Sequence, residues 1–236
     1  VERSRGLGDV YKRQVGSWNF AATAYLNRWK VKIYYEHYFD DHSQMFFQYG
    51  RWKDGHIGLE ITFPKNRFID TFVYEGLGTK DQTGPMLYDS FWGKFEEQIS
   101  AKDNYYNHYL YQGWQHWGMG IGNPLLPGPI YNKNGQITFI SNRVLAHHIG
   151  FCGSPCQSLS YRMLLSYSRH WGTYDNPLNE IKKQFNSLFE VTYAPQQLKG
   201  WSFTVSGAMD RGSLLGNNYG GMLVIRKQGI IKSGNK

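Results

Sequence analysis

Apolar and polar side chains alternate one by one along much of the chain. The clearest stretch is 159–171, in which one set of alternate positions is apolar and the other is polar. The apolar set is Leu159, Tyr161, Met163, Leu165 and Tyr167, and the polar set is Ser160, Arg162, Ser166, Ser168 and His170, with Leu164 and Arg169 as exceptions. Successive side chains of a β-strand point to opposite faces of the sheet, so this period of two predicts a strand with one dry and one wet face.

Eight further stretches are predicted strands, which gives nine in all. They are 18–27, 30–39, 56–63, 67–77, 137–151, 187–194, 200–210 and 219–227. The wet faces carry charges of both signs, at Lys30, Lys32, Glu36, Glu60, Arg162, Glu190, Asp210 and Arg226. This predicts an all-β antiparallel meander with a hydrated, ion-paired face. Alternation alone fits both a membrane barrel with a polar lumen and a soluble sandwich.

The connections between the predicted strands differ in length. Those at 28–30, 64–66, 152–157 and 195–199 are short, and those at 40–55 and 172–184 are long. Alternating short turns and long outer loops are typical of outer-membrane barrels. The same alternation places 78–136 on the outer side, either as one excursion or with an even number of further strands.

The strand count and the N-terminus both predict a fragment. Bacterial barrels have an even number of strands, so nine predicts at least one further strand before this chain. We expect the C-terminal part of a larger barrel, with residues 15–236 forming a partial transmembrane β-barrel domain. Residues 1–14, VERSRGLGDVYKRQ, show neither helix nor strand periodicity and are interpreted as a non-native leader.

The stretch 105–130 contains no Lys, Arg, Asp or Glu, and its aromatic residues are interleaved with Asn, His and Gln. Flat apolar faces beside neutral donors and acceptors suit neutral sugars, because an aromatic ring covers the C–H side of a pyranose and amides meet its hydroxyls. The same composition also occurs at barrel rims and in ordinary cores. The stretch is therefore a candidate recognition surface.

The chain has a formal net charge of +8. The leader accounts for +2 of this, which leaves +8 − 2 = +6 for the remainder. A basic surface favours acidic polysaccharide or the phosphates of an outer leaflet. The positive charges are scattered rather than gathered on one helix or stripe, so no nucleic-acid partner is expected.

Six blocks, read in order, carry a resemblance: KVKIYYEHYFDDHSQMF, GLEITFPKN, YNHYLYQGWQHWGMGIGNPLL, NRVLAHHIGF, YRMLLSYSRHWGTYDNP and SLFEVTYAPQQLKGWSFTVSGAMDRGSLLGNNYGGM. Over 18–227 the chain resembles the capsule assembly Wzi family of Gram-negative outer membranes. The resemblance implies an outer-membrane β-barrel with an associated helical bundle, monomeric when full-length. It also implies a lectin-like activity that holds capsular polysaccharide at the cell surface, with no catalysis and no cofactor.

The candidate glycan-binding residues come from the aromatic stretch and from the SRHWGTYDNP segment. They are Tyr106, Trp114, His116, Trp117, Arg169, Trp171, Tyr174 and Asp175. The Trp and Tyr rings stack on sugars, and Arg169 pairs with a uronate or phosphate. The structural alternatives are an interfacial aromatic girdle for the tryptophans, and contact with lipopolysaccharide phosphates for Arg169.

Two close pairs invite other chemistry. His147 and His148 are adjacent on a predicted strand and so point to opposite faces, for which reason no metal site is expected. Cys152 and Cys156 flank a predicted Ser-Pro turn, where a small disulfide loop and two free thiols both remain open.

Two further functions are alternatives to a lectin. Glu60 and Glu75 are possible cross-strand neighbours, and a glycosidase uses two such carboxylates. Like charges that close more often share Arg or Lys partners, so we expect no enzyme. The other alternative is a pore for solute diffusion through the polar lumen.

Overall fold

The computed structural model describes residues 16–39, 54–66, 68–82, 104–107 and 115–229. The predicted leader, 1–14, and the candidate Trp114 lie outside the described residues. Among those that are described, no helix is long and apolar enough to cross a membrane.

In the described part of the chain, nine strands form one antiparallel sheet, and each pairs with the next strand of that sheet in chain order. In order across the sheet they are β1 (Gly16–Leu26), β2 (Trp29–Phe39), β3 (Gly55–Thr62), β4 (Thr71–Gly78), β7 (Val144–Cys156), β8 (Leu159–Gly172), β9 (Pro177–Tyr193), β10 (Trp201–Gly212) and β11 (Asn218–Lys227). A separate hairpin pairs β5 (Gln115–His116) with β6 (Met119–Gly120), and one 3₁₀ turn spans Pro129–Tyr131. The predicted all-β meander and its nine strands are confirmed.

The period of two sets the two faces of the sheet. On one face, Met163 of β8 stands opposite Phe189 of β9. On the other, Arg162 stands opposite Glu190, and their side chains approach to 3.3 Å. We call these the apolar face and the polar face. The predicted ion pairs on the polar face are confirmed, since Lys30 and Glu60 also approach to 3.5 Å.

The two faces differ in what covers them. Large side chains on the apolar face are exposed, for example Phe20 at 54% and Leu223 at 66%. The small apolar core lies instead on the polar face, at one end of the sheet. It consists of Leu77, Leu126, Phe139, Val144 and Ala146. Residues 79–143 connect β4 to β7, and we call them the insert. Its described parts cover this core through Tyr106, Leu125, Leu126 and Phe139.

The connections correct part of the prediction. The predicted short connections after β1 and β9 exist, the one after β7 is shorter than predicted, and the one after β3 is longer and runs from 63 to 70. Residues 172–184 are not a long loop. The chain turns at 173–176, and β9 begins at Pro177 because its backbone pairs with β8, as in His170 with Lys182. The β10–β11 connection, 213–217, is short as well. The described part of the insert contains the β5–β6 hairpin, a pair of extra strands of the kind that the prediction allowed.

Three predicted boundaries are wrong for local reasons. Residues 68–70 are outside β4, because the Asn66 side chain accepts the backbone N–H groups of Phe68 and Ile69, at 2.8 and 2.9 Å. Residues 137–143 are outside β7, because the Asn107 side chain binds both the backbone N–H and the carbonyl of Phe139. The Ser-Pro pair lies within β7 at a bulge, and the turn is 157–158. Both cysteines are free thiols.

Candidate functional site

Asn142, near the C-terminal end of the insert, holds distant parts of the insert together. It is fully buried, and its Nδ2 donates to Asn104 Oδ1 at 2.6 Å and to the carbonyl of Tyr105 at 2.9 Å. Its Oδ1 accepts from Gln82 Nε2 at 3.2 Å, and its carbonyl accepts from the Thr79 hydroxyl at 2.7 Å. One amide therefore holds together three separate parts of the chain.

Asp54, just before β3, is a second tie. Its buried carboxylate accepts the backbone N–H of Asp81 at 2.9 Å, the backbone N–H of Gln82, and the Tyr105 hydroxyl at 3.3 Å. Burial raises the pKa of Asp54 to about 6, although these hydrogen bonds act in the opposite direction. The carboxylate thus joins the start of β3 to two segments of the insert, 79–82 and 104–107.

Tyr106 is fixed by a third tie. Asn107 Oδ1 accepts from the backbone N–H of Phe139 and its Nδ2 donates to the Phe139 carbonyl, both at 2.7 Å. The Phe139 ring lies 5.1 Å from the ring of Tyr106, whose hydroxyl accepts from the backbone N–H of Asn123 at 3.3 Å. Burial raises the pKa of Tyr106. The candidate Tyr106 therefore lies inside the insert, against the polar face.

A group of cations and aromatic rings lies where β8 turns into β9. We call Lys80, Arg143, Arg169, Trp171 and Tyr174 the rim cluster. The Arg143 guanidinium lies 3.9 Å above the Tyr174 ring, and Lys80 and Arg169 lie 5.0 and 5.5 Å from the Trp171 ring. Arg143 Nε also donates to the Lys80 carbonyl at 3.1 Å.

The charge of the rim cluster is incompletely balanced. None of its three cations is within ion-pair distance of a carboxylate in the described part of the chain. Two acidic residues stand nearby, because the Tyr174 hydroxyl donates to the Asp81 carbonyl at 3.0 Å and Asn104 Nδ2 donates to Asp175 at 3.4 Å. Three cations against two carboxylates leave room for a ligand anion.

Apart from Tyr106, the described residues of the predicted site lie in two places. Arg169, Trp171, Tyr174 and Asp175 meet at the β8–β9 turn. His116 and Trp117 lie at the β5–β6 hairpin, where Trp117 has φ +52° and is 87% exposed, with its ring 6.2 Å from that of His116. No hydrogen bond, ion pair or ring contact of a described residue joins this hairpin tip to the rim cluster.

A cavity of about 870 Å³ lies between the insert and the polar face. Its floor includes Glu36, His56, Glu75, His148, Ser166 and Asn186. Its roof includes Tyr106, Ile121, Pro124 and Leu125. Such a volume lies within the range of about 300–1,000 Å³ that holds small ligands.

Hydrogen bonds organise the floor of the cavity. His56 lies 3.5 Å from Glu75 through Nε2 and 3.9 Å from Glu36 through Nδ1. The Ser17 hydroxyl donates to Glu36 at 2.6 Å, and the Tyr34 hydroxyl donates to Glu75. Tyr34 reaches Glu75 because its ring lies over Gly58, where a Cβ would collide with the ring. Both carboxylates are held in place with oxygen atoms facing the cavity.

Two predictions about paired residues have different outcomes. Glu60 and Glu75 are not directly opposite, because Glu60 pairs with Val73 and Glu75 with Gly58. Register across the Pro64 turn is displaced by the extra residues before β4, and each carboxylate has its own partners.

The two histidines do point to opposite faces, as predicted. His147 contacts the Tyr74 hydroxyl at 2.8 Å and His148 contacts the Ser166 hydroxyl at 2.7 Å. Within the described ranges, no three His, Cys, Asp or Glu side chains are grouped to hold a metal ion.

Several residues of the site were not foreseen from the sequence. Lys80 falls in a predicted loop and Arg143 in a predicted strand, so neither was expected in the rim cluster. Asp54 and Asn142 are ordinary polar residues whose partners lie far along the chain. The one usable signal was for Glu36, which the alternation had placed on the wet face.

No family model, no curated protein and no solved structure matches the chain. The described side chains form a cationic, aromatic cluster at the insert end of the sheet. They also line a separate cavity that carries two carboxylates.

Proposed function

We propose that the chain forms part of an outer-membrane β-barrel of the Wzi type that binds and anchors capsular or other extracellular polysaccharide at the cell surface without catalysis. One observation carries the proposal: the large side chains of the apolar face are exposed, whereas the small core and the ion pairs lie on the polar face. A water-soluble β-sandwich buries its apolar faces against each other.

A bilayer explains the exposed face. Exposed apolar side chains are spread over the whole sheet, from Phe20 on β1 to Ile57 on β3, Phe189 on β9 and Ile225 on β11. Contiguous apolar surface of this kind marks a site that something else covers. Strands that alternate apolar and polar residues present one side to lipid and the other to a lumen.

The rim cluster supports an acidic glycan as the ligand. A uronate or phosphate would pair with Arg143, Arg169 or Lys80, while a sugar ring would stack on Trp171. The exposed Trp117 would give a second stacking surface at the hairpin tip. Both surfaces belong to the end of the sheet that carries the insert, which in this proposal faces the cell exterior.

Arg169 also fits a contact with lipopolysaccharide. It lies on the apolar face, opposite Leu145 of β7. A cation at the edge of an apolar band reaches lipid phosphates by extending its side chain along the surface. Outer-membrane lipid is thus a second partner, at the boundary of the glycan site.

A pore is the second candidate function, and the charged polar face favours it. In a closed barrel that face would line the lumen, and Arg162–Glu190 would then lie along a solute path. Ion conductance in planar bilayers distinguishes this function from anchoring.

The test uses detergent-solubilised protein and a fluorescent acidic capsular polysaccharide. Trp171→Ala is expected to weaken binding about tenfold, since base or sugar stacking on an aromatic ring contributes about 1–3 kcal/mol. The matched control is Trp201→Ala, because Trp201 also has a cation over its ring, Lys227 at 5.3 Å, but belongs to the opposite end of the sheet. Equal losses in both variants, or a monodisperse chain in water without detergent, would contradict the proposal.

A further inference from the structure

The cavity has a charge opposite to that of the protein as a whole. The chain carries +8, yet the described lining of the cavity contains two carboxylates, Glu36 and Glu75, and neither Lys nor Arg. Both carboxylates approach the same His56 ring, at 3.9 and 3.5 Å. The negative charges are therefore concentrated in one part of the floor, and they disfavour an acidic ligand.

The two walls of the cavity are chemically different. The roof presents the ring of Tyr106 with Pro124 and Leu125, which are flat or apolar. The floor presents hydroxyl, amide and imidazole groups at Ser166, Asn186 and His148, beside the carboxylates. A pyranose has the same division, with C–H groups on its faces and hydroxyls at its edge.

We propose that this cavity is a saccharide site separate from the rim cluster, which takes an amine-bearing sugar in preference to a neutral one and excludes acidic sugars. The ammonium group would pair with Glu75 and Glu36, and the hydroxyls would meet Ser166, Asn186 and His148. The inference goes beyond the proposed anchoring function, because the cavity and the rim cluster share no residue and select opposite charges.

The carboxylates are already positioned for such a ligand. Ser17 donates a hydrogen bond to Glu36, which also bonds to the Tyr38 hydroxyl, and Tyr34 donates to Glu75. A carboxylate accepts about four hydrogen bonds, so each keeps further acceptor capacity for the cavity. An acidic glycan bound at the rim would thus be excluded from the interior, while an amine-bearing unit of the same or another glycan would enter.

The experiment is calorimetric titration of the full chain in detergent with three trisaccharides: fully deacetylated chitotriose, cellotriose and trigalacturonate. We expect saturable binding of chitotriose and binding of cellotriose about tenfold weaker. In a Trp171→Ala background that weakens the rim site, we expect no competition of trigalacturonate with chitotriose. The factor follows from a charge-assisted hydrogen bond of about 1.5–3 kcal/mol.

Glu75→Gln and Glu36→Gln are expected to remove the preference for chitotriose over cellotriose and to leave cellotriose binding in place. Glutamine keeps the shape and the ability to accept from Tyr34 or Ser17. Glu60→Gln is the matched control. Glu60 lies on β3, on the same polar face of the sheet as Glu36 and Glu75, and it pairs with Lys30 but does not line the cavity.

Three results would overturn the proposal: no saturable binding of any trisaccharide, equal binding of trigalacturonate, or the same loss of preference in Glu60→Gln. The first would mean that the cavity holds only water. Loss of cavity binding with intact capture of acidic polysaccharide at the rim would refute this inference and leave the anchoring function standing.

Discussion

The two faces of the sheet share one backbone but differ in how their side chains are covered. On the polar face, side chains find partners within the chain: Lys30 with Glu60, and Val144 within a core that the insert covers. On the apolar face, equally large side chains such as Phe189 find none of that cover and remain half exposed. In the proposed barrel, the polar face is completed by this protein and the apolar face by lipid.

A charge placed on either face is the strongest way to test that difference. Ile149 on β7 and Leu164 on β8 are exposed to the same degree, 38% and 39%, but lie on the apolar and the polar face. Ile149→Arg is expected to lower the free energy of unfolding in lipid vesicles by about 2–4 kcal/mol, the cost of Arg at a bilayer midplane. Leu164→Arg is expected to cost much less. Urea titration followed by tryptophan fluorescence measures both, and equal costs would refute a lipid-facing surface.

The buried Asp54 predicts a pH dependence on the polar side alone. Burial raises its pKa from 3.8 to about 6, so the folded state binds the proton more tightly than the unfolded state does. The stability contributed by Asp54 is therefore complete below about pH 4 and falls as the pH rises to about 6, by up to about 3 kcal/mol. Hydrogen exchange of the insert across this range measures it. Asp54→Asn should remove this contribution, so the slope of the original chain should be more negative than that of the variant between about pH 4 and pH 6. Equal slopes in the two proteins would point to another group.

Removal of the Asn142 amide should loosen the insert and spare the sheet. Asn142→Ala removes the buried hydrogen bonds to Gln82, Asn104 and the Tyr105 carbonyl, which costs about 2 kcal/mol. Limited proteolysis should then cut the insert at lower protease concentration, with unchanged strand content by circular dichroism. Asn134→Ala is the control, because the Asn134 side chain bonds only locally to Gln136 in an exposed turn. Unfolding of the whole sheet in Asn142→Ala would show that the insert is not a separate layer.

The ion pairs of the polar face give the smallest effect. Lys30 and Glu60 are 40% and 29% exposed, and hydrated pairs of this kind contribute about 0–1 kcal/mol. Glu60→Gln should therefore lower the free energy of unfolding by no more than this, and less in high salt. A loss of several kcal/mol, independent of salt, would mean that the polar face is dry.

Most of the sheet could be predicted from the sequence, because local alternation decides which face of the sheet a side chain lies on. Leu159 to Tyr167 were assigned correctly residue by residue, and even Leu164 and Arg169 were recognised as exceptions. The β9 boundary was missed because Lys182 and Lys183 give no apolar alternation. There the pairing with β8 and β10, and not the side chains, extends the strand.

The candidate site was predictable only in part. Trp171 and Tyr174 stood out because they are aromatic residues beside a turn. Lys80 and Arg143 did not, since 63 residues separate the two along the chain and only the fold brings Arg143 Nε to the Lys80 carbonyl. The cavity depends on the same kind of distant contact, with Tyr106 of the insert placed over Glu36 of β2.

The most direct measurement is accessibility along β8 at single nitroxide labels, placed one at a time at residues 161–166 in a chain with Cys152→Ser and Cys156→Ser. Spin relaxation by oxygen reports contact with hydrocarbon, and relaxation by a water-soluble nickel chelate reports contact with water. In vesicles, oxygen should dominate at 161, 163 and 165, and the chelate at 162, 164 and 166. Dominance of the chelate at both sets of positions would contradict a sheet that meets lipid on one face and water on the other.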